Sequence, residues 1–240
     1  MNLNIKLLIG TIYIVSLSAL IFVIFNKFDF EEISNINFIK YNQVLIASLK
    51  KNNEVLLLFG FFLFSVFWIL LLGFASPLAL AAGFIYGKWL GTLISVVSFS
   101  IGCTLLYYIA SLFFKDFIKK KLTKKIEKFI IMFKKNEFLY FMLFRFTGGG
   151  MPFAIQNLVP VIFDMKIKNY FFSTLLGLIP SMFIINALGS GLDKFINEND
   201  SIVWKKLILN PEIYLPILGF FTILVIAFLL KKFFFYKKNY

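Results

Sequence analysis

The chain has 240 residues, 60% hydrophobic and 15% charged, with a mean hydropathy of +0.87. Soluble domains are about 45–50% apolar and about 25% charged, so this composition excludes a soluble enzyme and indicates an integral membrane protein. The net charge of +13 does not point to nucleic acid, because the lysines flank hydrophobic runs in the way that orients membrane helices.

The first apolar run, Ile5 to Phe25, is about 20 residues long, enough to span a bilayer, and reads as an uncleaved anchor. Residues Asn26 to Asn53 mix polar groups with Ile33, Ile36, Phe38, Val44, Leu45 and Leu49, as a short interfacial helix does. These residues, 1–53, form the first segment. A core at 54–192 follows, beginning with a second span from Glu54 to Gly73. Ser76 to Lys88 is apolar but punctuated by Pro77, Gly83 and Gly87 and too short to span, so it reads as a re-entrant half-helix. Trp89 to Phe114 is a full span containing Cys103 as a small packing residue.

Lys115 to Lys135 holds nine lysines and two acids, with Phe117, Ile118, Leu122, Ile126, Phe129 and Ile130 on one helical stripe. An amphipathic cytoplasmic helix on anionic lipid accounts for both features. A second broken segment, 138–163, carries Gly148-Gly149-Gly150 and Pro152 at its middle. Tyr170 to Leu192 is a further span. Segment 193–240 supplies a polar loop from Asp193 to Pro211, a last span from Ile213 to Leu230 and a lysine-rich tail.

The fold class is therefore all-α: a polytopic membrane protein with about five spanning helices and two half-helices. With the lysine-dense segment and the tail in the cytoplasm, the half-helices at 76–88 and 138–163 enter from opposite faces, as in an inverted repeat.

Of the 25 basic residues only Arg145 is arginine, and it lies inside an apolar segment. A charged residue at mid-membrane costs at least about 2.5–3.5 kcal/mol on insertion scales, which makes Arg145 a candidate functional residue. Guanidinium offers phosphate or carboxylate a planar fork that lysine lacks. The glycine triplet with Pro152 leaves backbone N–H groups at a half-helix N-terminus, a favourable place for an anion. Gln156 and Asn157 add polar groups nearby. The bland alternative is that Arg145 clamps carbonyls freed by the glycine turn, or pairs with Asp164. The chain has no histidine and one cysteine, so histidine acid–base chemistry, Cys/His zinc sites and an intrachain disulfide are excluded; no metal or cofactor is expected.

Arg145-Phe-Thr-Gly-Gly-Gly-Met-Pro152-Phe153-Ala-Ile-Gln156-Asn157, followed by Asn169-Tyr170-Phe-Phe-Ser-Thr174-Leu-Leu-Gly177-Leu-Ile-Pro180, resembles the DedA superfamily. The nearest branch is that of the SNARE-associated Golgi proteins, or VTT domain. Upstream, Ala82-Gly83-Phe-Ile-Tyr-Gly87-Lys-Trp-Leu-Gly91 is similar to the family's first glycine-rich motif. The resemblance covers about Leu72 to Gly191 and implies two opposed re-entrant loops, each followed by a spanning helix. Family members are associated with scrambling or flipping of phospholipids and lipid-phosphate carriers, and some with proton-coupled membrane homeostasis. It maps the family's arginine onto Arg145, and its Pro-Phe and Asn onto Pro152, Phe153 and Asn157. Two departures stand out: Gly148 replaces a frequent proline, and Ser76 to Lys88 contains no acid through which protons could couple.

The expected function is translocation of membrane lipids, with Arg145, Gly148, Gly149, Gly150, Pro152, Phe153, Gln156 and Asn157 at the lipid site. Pro77, Gly83, Gly87 and Gly91 would shape the first re-entrant loop. The alternatives are an ion-coupled solute transporter, with Asp164 as the ion or charge partner, and a non-transporting scaffold. A bacterial cytoplasmic membrane is the expected location, with a eukaryotic endomembrane as the alternative.

Overall fold

The computed structural model describes residues 3–27, 36–71, 74–120, 130–146, 151–198, 209–211, 213–219, 221, 222 and 225. Its elements are α1 (Leu3–Lys27), α2 (Ile36–Leu70), α3 (Ala75–Lys120), α4 (Glu137–Phe146), α5 (Phe153–Phe163) and α6 (Ile167–Glu198). No strand occurs among the described residues, so the fold is all-helical. Among the described residues, three stretches are long and apolar enough to cross a membrane: Tyr41–Leu70, Ala75–Lys115 and Ile167–Ile196. The glycine triplet, most of the lysine-dense segment and most of the last expected span lie outside the described residues.

Two long helices contain breaks where the sequence expects them. Asn53 leaves helical geometry at φ −158°, ψ 80°, and its Oδ1 accepts the Leu56 N–H at 3.1 Å. That is an N-cap, so a new helical segment starts at Glu54. The second break is at Gly87, whose φ of +77° strongly favours a glycine. Pro77 sits in the first turn of α3, where its missing N–H has no helical partner to lose.

The break at Gly87 folds the chain back sharply. A Cβ on Gly91 would lie 2.7 Å from the Ala82 carbonyl oxygen. A straight helix would separate these positions by about 13 Å. Residues 75–86 therefore lean against the following limb of α3. At the other end of 75–86, Trp68 Nε1 donates to the Phe74 carbonyl at 3.0 Å, across the turn that joins α2 to α3.

The long limb of α3 and α6 form the centre and run antiparallel: Gly91 meets Asn186, and Tyr107 Oη donates to the Met165 carbonyl at 2.5 Å. Val96, Phe99, Cys103, Tyr107 and Ala110 repeat at helical spacing along the buried face of α3 and meet Tyr170, Leu178 and Met182 of α6. Lipid tails are as apolar as leucine, so close packing rather than burial from water holds such helices together. A Cβ on Gly83 would overlap the Asn186 backbone carbonyl. Residues 75–86 and α6 thus touch backbone to backbone.

The polar loop expected to start at Asp193 instead begins later. α6 continues to Glu198, because Phe195 and Ile196 are buried and carry the helix further.

Candidate functional site

α4 and α5 are short, at 10 and 11 residues, about 15 Å each at the α-helical rise, half of what a bilayer core requires. Asn136 caps α4, its Oδ1 accepting the Leu139 N–H at 3.4 Å. Phe141 and Arg145, four residues apart, then share the buried face of α4. Pro152 stands at the N-cap position of α5 and turns Gln156 and Asn157 inward.

Arg145 is the largest fully buried side chain among the described residues, 1% exposed. Its Nη2 donates to Asn157 Oδ1 at 2.5 Å and to Tyr170 Oη at 2.9 Å, and Nη1 reaches Gln156 Oε1 at 3.4 Å. The guanidinium carbon lies 5.1 Å from the Phe141 ring centre, 5.2 Å from that of Phe153 and 5.9 Å from that of Tyr170. Cation–π attraction is strongest in such desolvated settings. Arg145 Nε is buried without a hydrogen-bond partner among the described residues. Cys103 packs beside Arg145, Asn157 and Tyr170. Gly177 admits the arginine, since a Cβ there would stand 2.6 Å from Arg145 Cβ.

Every hydrogen-bond partner described for the guanidinium is neutral. The pairing with Asp164 that the sequence leaves open is replaced by another: Asp164 pairs with Lys115 at 2.5 Å, both side chains more than a third exposed. Asp164 ends α5 in the left-handed region, at φ 48°, ψ 50°, where its side chain reaches α3 rather than the interior.

Of the other expected site residues, Gln156 also donates to the Met151 carbonyl at 2.7 Å, and Phe153 covers the guanidinium. Pro152 is exposed and makes the turn into α5. Gly148, Gly149 and Gly150 lie outside the described residues. Gly83 and Gly91 meet Asn186 of α6, apart from the arginine; Gly87 makes the break within α3 with open space beside it, and Pro77 is exposed at the start of α3.

Two participants lie beyond the expected set. Tyr170 bonds Arg145 and stacks on Tyr107 with ring centres 4.7 Å apart. Its signal is the need of a buried phenol for a partner, which no local pattern names. Glu137 is 7% exposed, and its Oε1 accepts the Lys166 N–H at 3.2 Å and Asn169 Nδ2 at 2.7 Å. It holds the start of α4 to the start of α6. Its position at the head of an apolar run, opposite the free N–H groups of another helix, is the available signal.

Comparison with known proteins agrees with this arrangement. Residues 74–191 match the VTT domain. The chain is 24% identical over 171 residues to the Transmembrane protein 41 homolog of Caenorhabditis elegans, covering 69% of this chain and 68% of that one. It is 24% identical over 162 residues to the YqeD protein of Bacillus subtilis (strain 168), covering 65% of this chain and 70% of that one. No solved structure matches. With the domain spanning both broken segments and the helices that follow them, the chain belongs to the VTT-domain membrane proteins, the DedA and SNARE-associated Golgi family.

Proposed function

We propose that this protein moves phospholipids or lipid-phosphates between leaflets, along a furrow formed where two re-entrant hairpins meet at mid-membrane. Helix rulers support the hairpins. Gly177, against Arg145, lies eleven residues from Lys166, about 16 Å along α6, half of a hydrocarbon core of about 30 Å. The Ile69 end of α2 abuts Gly102, fourteen residues from Lys88, about 21 Å along α3. Lys50 reaches Ile85 near the Gly87 end of the core, whereas Glu137 joins Lys166 at the other, so the hairpins enter from opposite ends. By its lysines, the end bearing Lys115 faces the cytoplasm of a bacterial cell membrane.

The observation that carries the proposal is the buried guanidinium whose partners among the described residues are all neutral. A buried cation without a counter-ion costs several kcal/mol. A carboxylate partner would cancel that charge and compete with phosphate, whereas amide and phenol partners leave it uncompensated. A lipid phosphate entering between α4 and α5 would exchange hydrogen bonds with Gln156 and Asn157 and supply the missing charge through a bidentate contact. An ion-coupled solute transporter would place its titrating carboxylate at Asp164, which instead joins Lys115 at a partly exposed helix end. The reading is thus of a lipid transporter rather than an enzyme.

The test is dithionite quenching of fluorescent phospholipid in vesicles holding the purified protein. Wild type should quench beyond half of the label. Arg145→Lys should insert normally yet lose most of that activity, because a point charge lacks the fork. Equal quenching by wild type and Arg145→Lys would sink the proposal.

A further inference from the structure

At the end of the core farthest from Glu137, α2, α3 and α6 enclose an open cleft of about 290 Å³. It is small for a ligand pocket, whose usual range begins at about 300 Å³. Its walls are apolar at Val44, Ile46 and Phe84, and its polar groups are Gln43, Lys50 and Asp193. Gln43, Ala47 and Lys50 share one face of α2 by their spacing of four and three residues.

The two charges are held apart and of opposite sign. Gln43 Nε2 donates to Asp193 Oδ1 at 2.6 Å and fixes the carboxylate at one end of the cleft. Lys50, about 10 Å farther along the helix axis, donates to the Ile85 carbonyl at 3.4 Å and pairs at 3.4 Å with Glu54, a pair exposed on both sides and therefore, unlike a buried one, weak enough for a phosphate to displace. An ammonium has three donors, and these two contacts use two of them. The cleft therefore offers a cationic donor, a carboxylate held toward its other end and an apolar flank, with Val44 well exposed beside it.

We infer that this cleft seats the head of an amine-bearing phospholipid, with Lys50 on the phosphate, Asp193 on the ammonium and the glycerol backbone along Val44 and Phe84. The inference extends the lipid-translocation reading by naming a headgroup site at the opposite face from the Lys115 end. Its test reads binding and not transport, so the two stand or fall separately. A sterically similar anionic head, such as phosphoglycerol, would satisfy Lys50 but gain nothing from Asp193.

The experiment uses the purified full-length protein in micelles, titrated with short-chain phosphatidylethanolamine, short-chain phosphatidylglycerol and free phosphoethanolamine, with occupancy read by native mass spectrometry. Wild type should prefer the ethanolamine lipid by about tenfold, the worth of one charge-assisted hydrogen bond. Asp193→Asn, which keeps an oxygen for Gln43, should erase that preference while leaving phosphatidylglycerol binding unchanged. Lys50→Gln should weaken both lipids, and Lys50→Arg should restore them, separating charge from folding. Free phosphoethanolamine should bind more weakly than the lipid because it lacks the part that lies on the apolar wall. A preference that survives Asp193→Asn overturns the inference, as does a free ester that binds as tightly as the lipid. Binding that follows this pattern in a protein that does not scramble would keep the headgroup site and remove the translocation proposal.

Discussion

The two halves of the core follow one backbone plan and fill it with different chemistry. In each, one helix is followed by a short helix of 11 or 12 residues, and a residue of positive φ, Gly87 in one and Asp164 in the other, precedes the long helix; these are the described residues with positive φ. The first half is closed by backbone contact, with Gly83 against the Asn186 backbone, Gly189 against that of Leu80 and Gly91 against that of Ala82. The second is closed by side chains, with Arg145 bonded to Gln156, Asn157 and Tyr170. A backbone seam has no substitute partners and resists movement. A hydrogen-bonded knot can exchange partners with a ligand. The difference assigns scaffold to the first half and response to the second.

The comparison breaks most severely at Gly83. In Gly83→Val, the new side chain would overlap backbone of α6, which cannot rotate away, and overpacking of this kind costs about 3 kcal/mol or more. We expect loss of the monodisperse species in size-exclusion chromatography, and a variant as stable as wild type would remove the scaffold role of the first half. The next largest effect tests how the second half is anchored. Glu137→Leu leaves the Lys166 N–H and Asn169 without their acceptor and should cost about 2 kcal/mol in thermal unfolding in detergent. Tm unchanged by that substitution would mean that α4 is held by its apolar face alone. The smallest effect belongs to Lys115 and Asp164, both partly exposed, whose coupling in a double-mutant cycle should be at most about 1 kcal/mol and should fade with salt. A larger, salt-resistant coupling would show that the second half too depends on a rigid clasp.

The breaks were legible in the sequence because they are written in single residues. The polar stretch ends at Asn53 where an apolar run opens at Glu54, Gly87 in an apolar run punctuates, and a lone arginine among 24 lysines announces itself. The site's partners were less legible in proportion to their distance along the chain. Gln156 and Asn157 stand eleven and twelve residues from Arg145 and were recognisable as a polar pair in an apolar segment. Tyr170 stands twenty-five away on another helix and looks like any interfacial tyrosine. Asp164 stays an open choice in the sequence, because spacing along the chain says nothing of which helix a terminal carboxylate turns toward; here it follows a left-handed backbone and pairs with Lys115 of α3. The end of α6 was misplaced for a related reason. Asp193 and Lys194 look like a loop, but Phe195 and Ile196 find cover and extend the helix.

Cys103, fully buried, packs beside the Arg145 knot and is the chain's single thiol. Thiolate is the form that alkylating reagents attack, and it forms where water reaches. The sequence thus carries its own moisture gauge inside the helical core. The rate at which a water-soluble reagent consumes that sulfur clocks how often the arginine is wetted, with no engineered label.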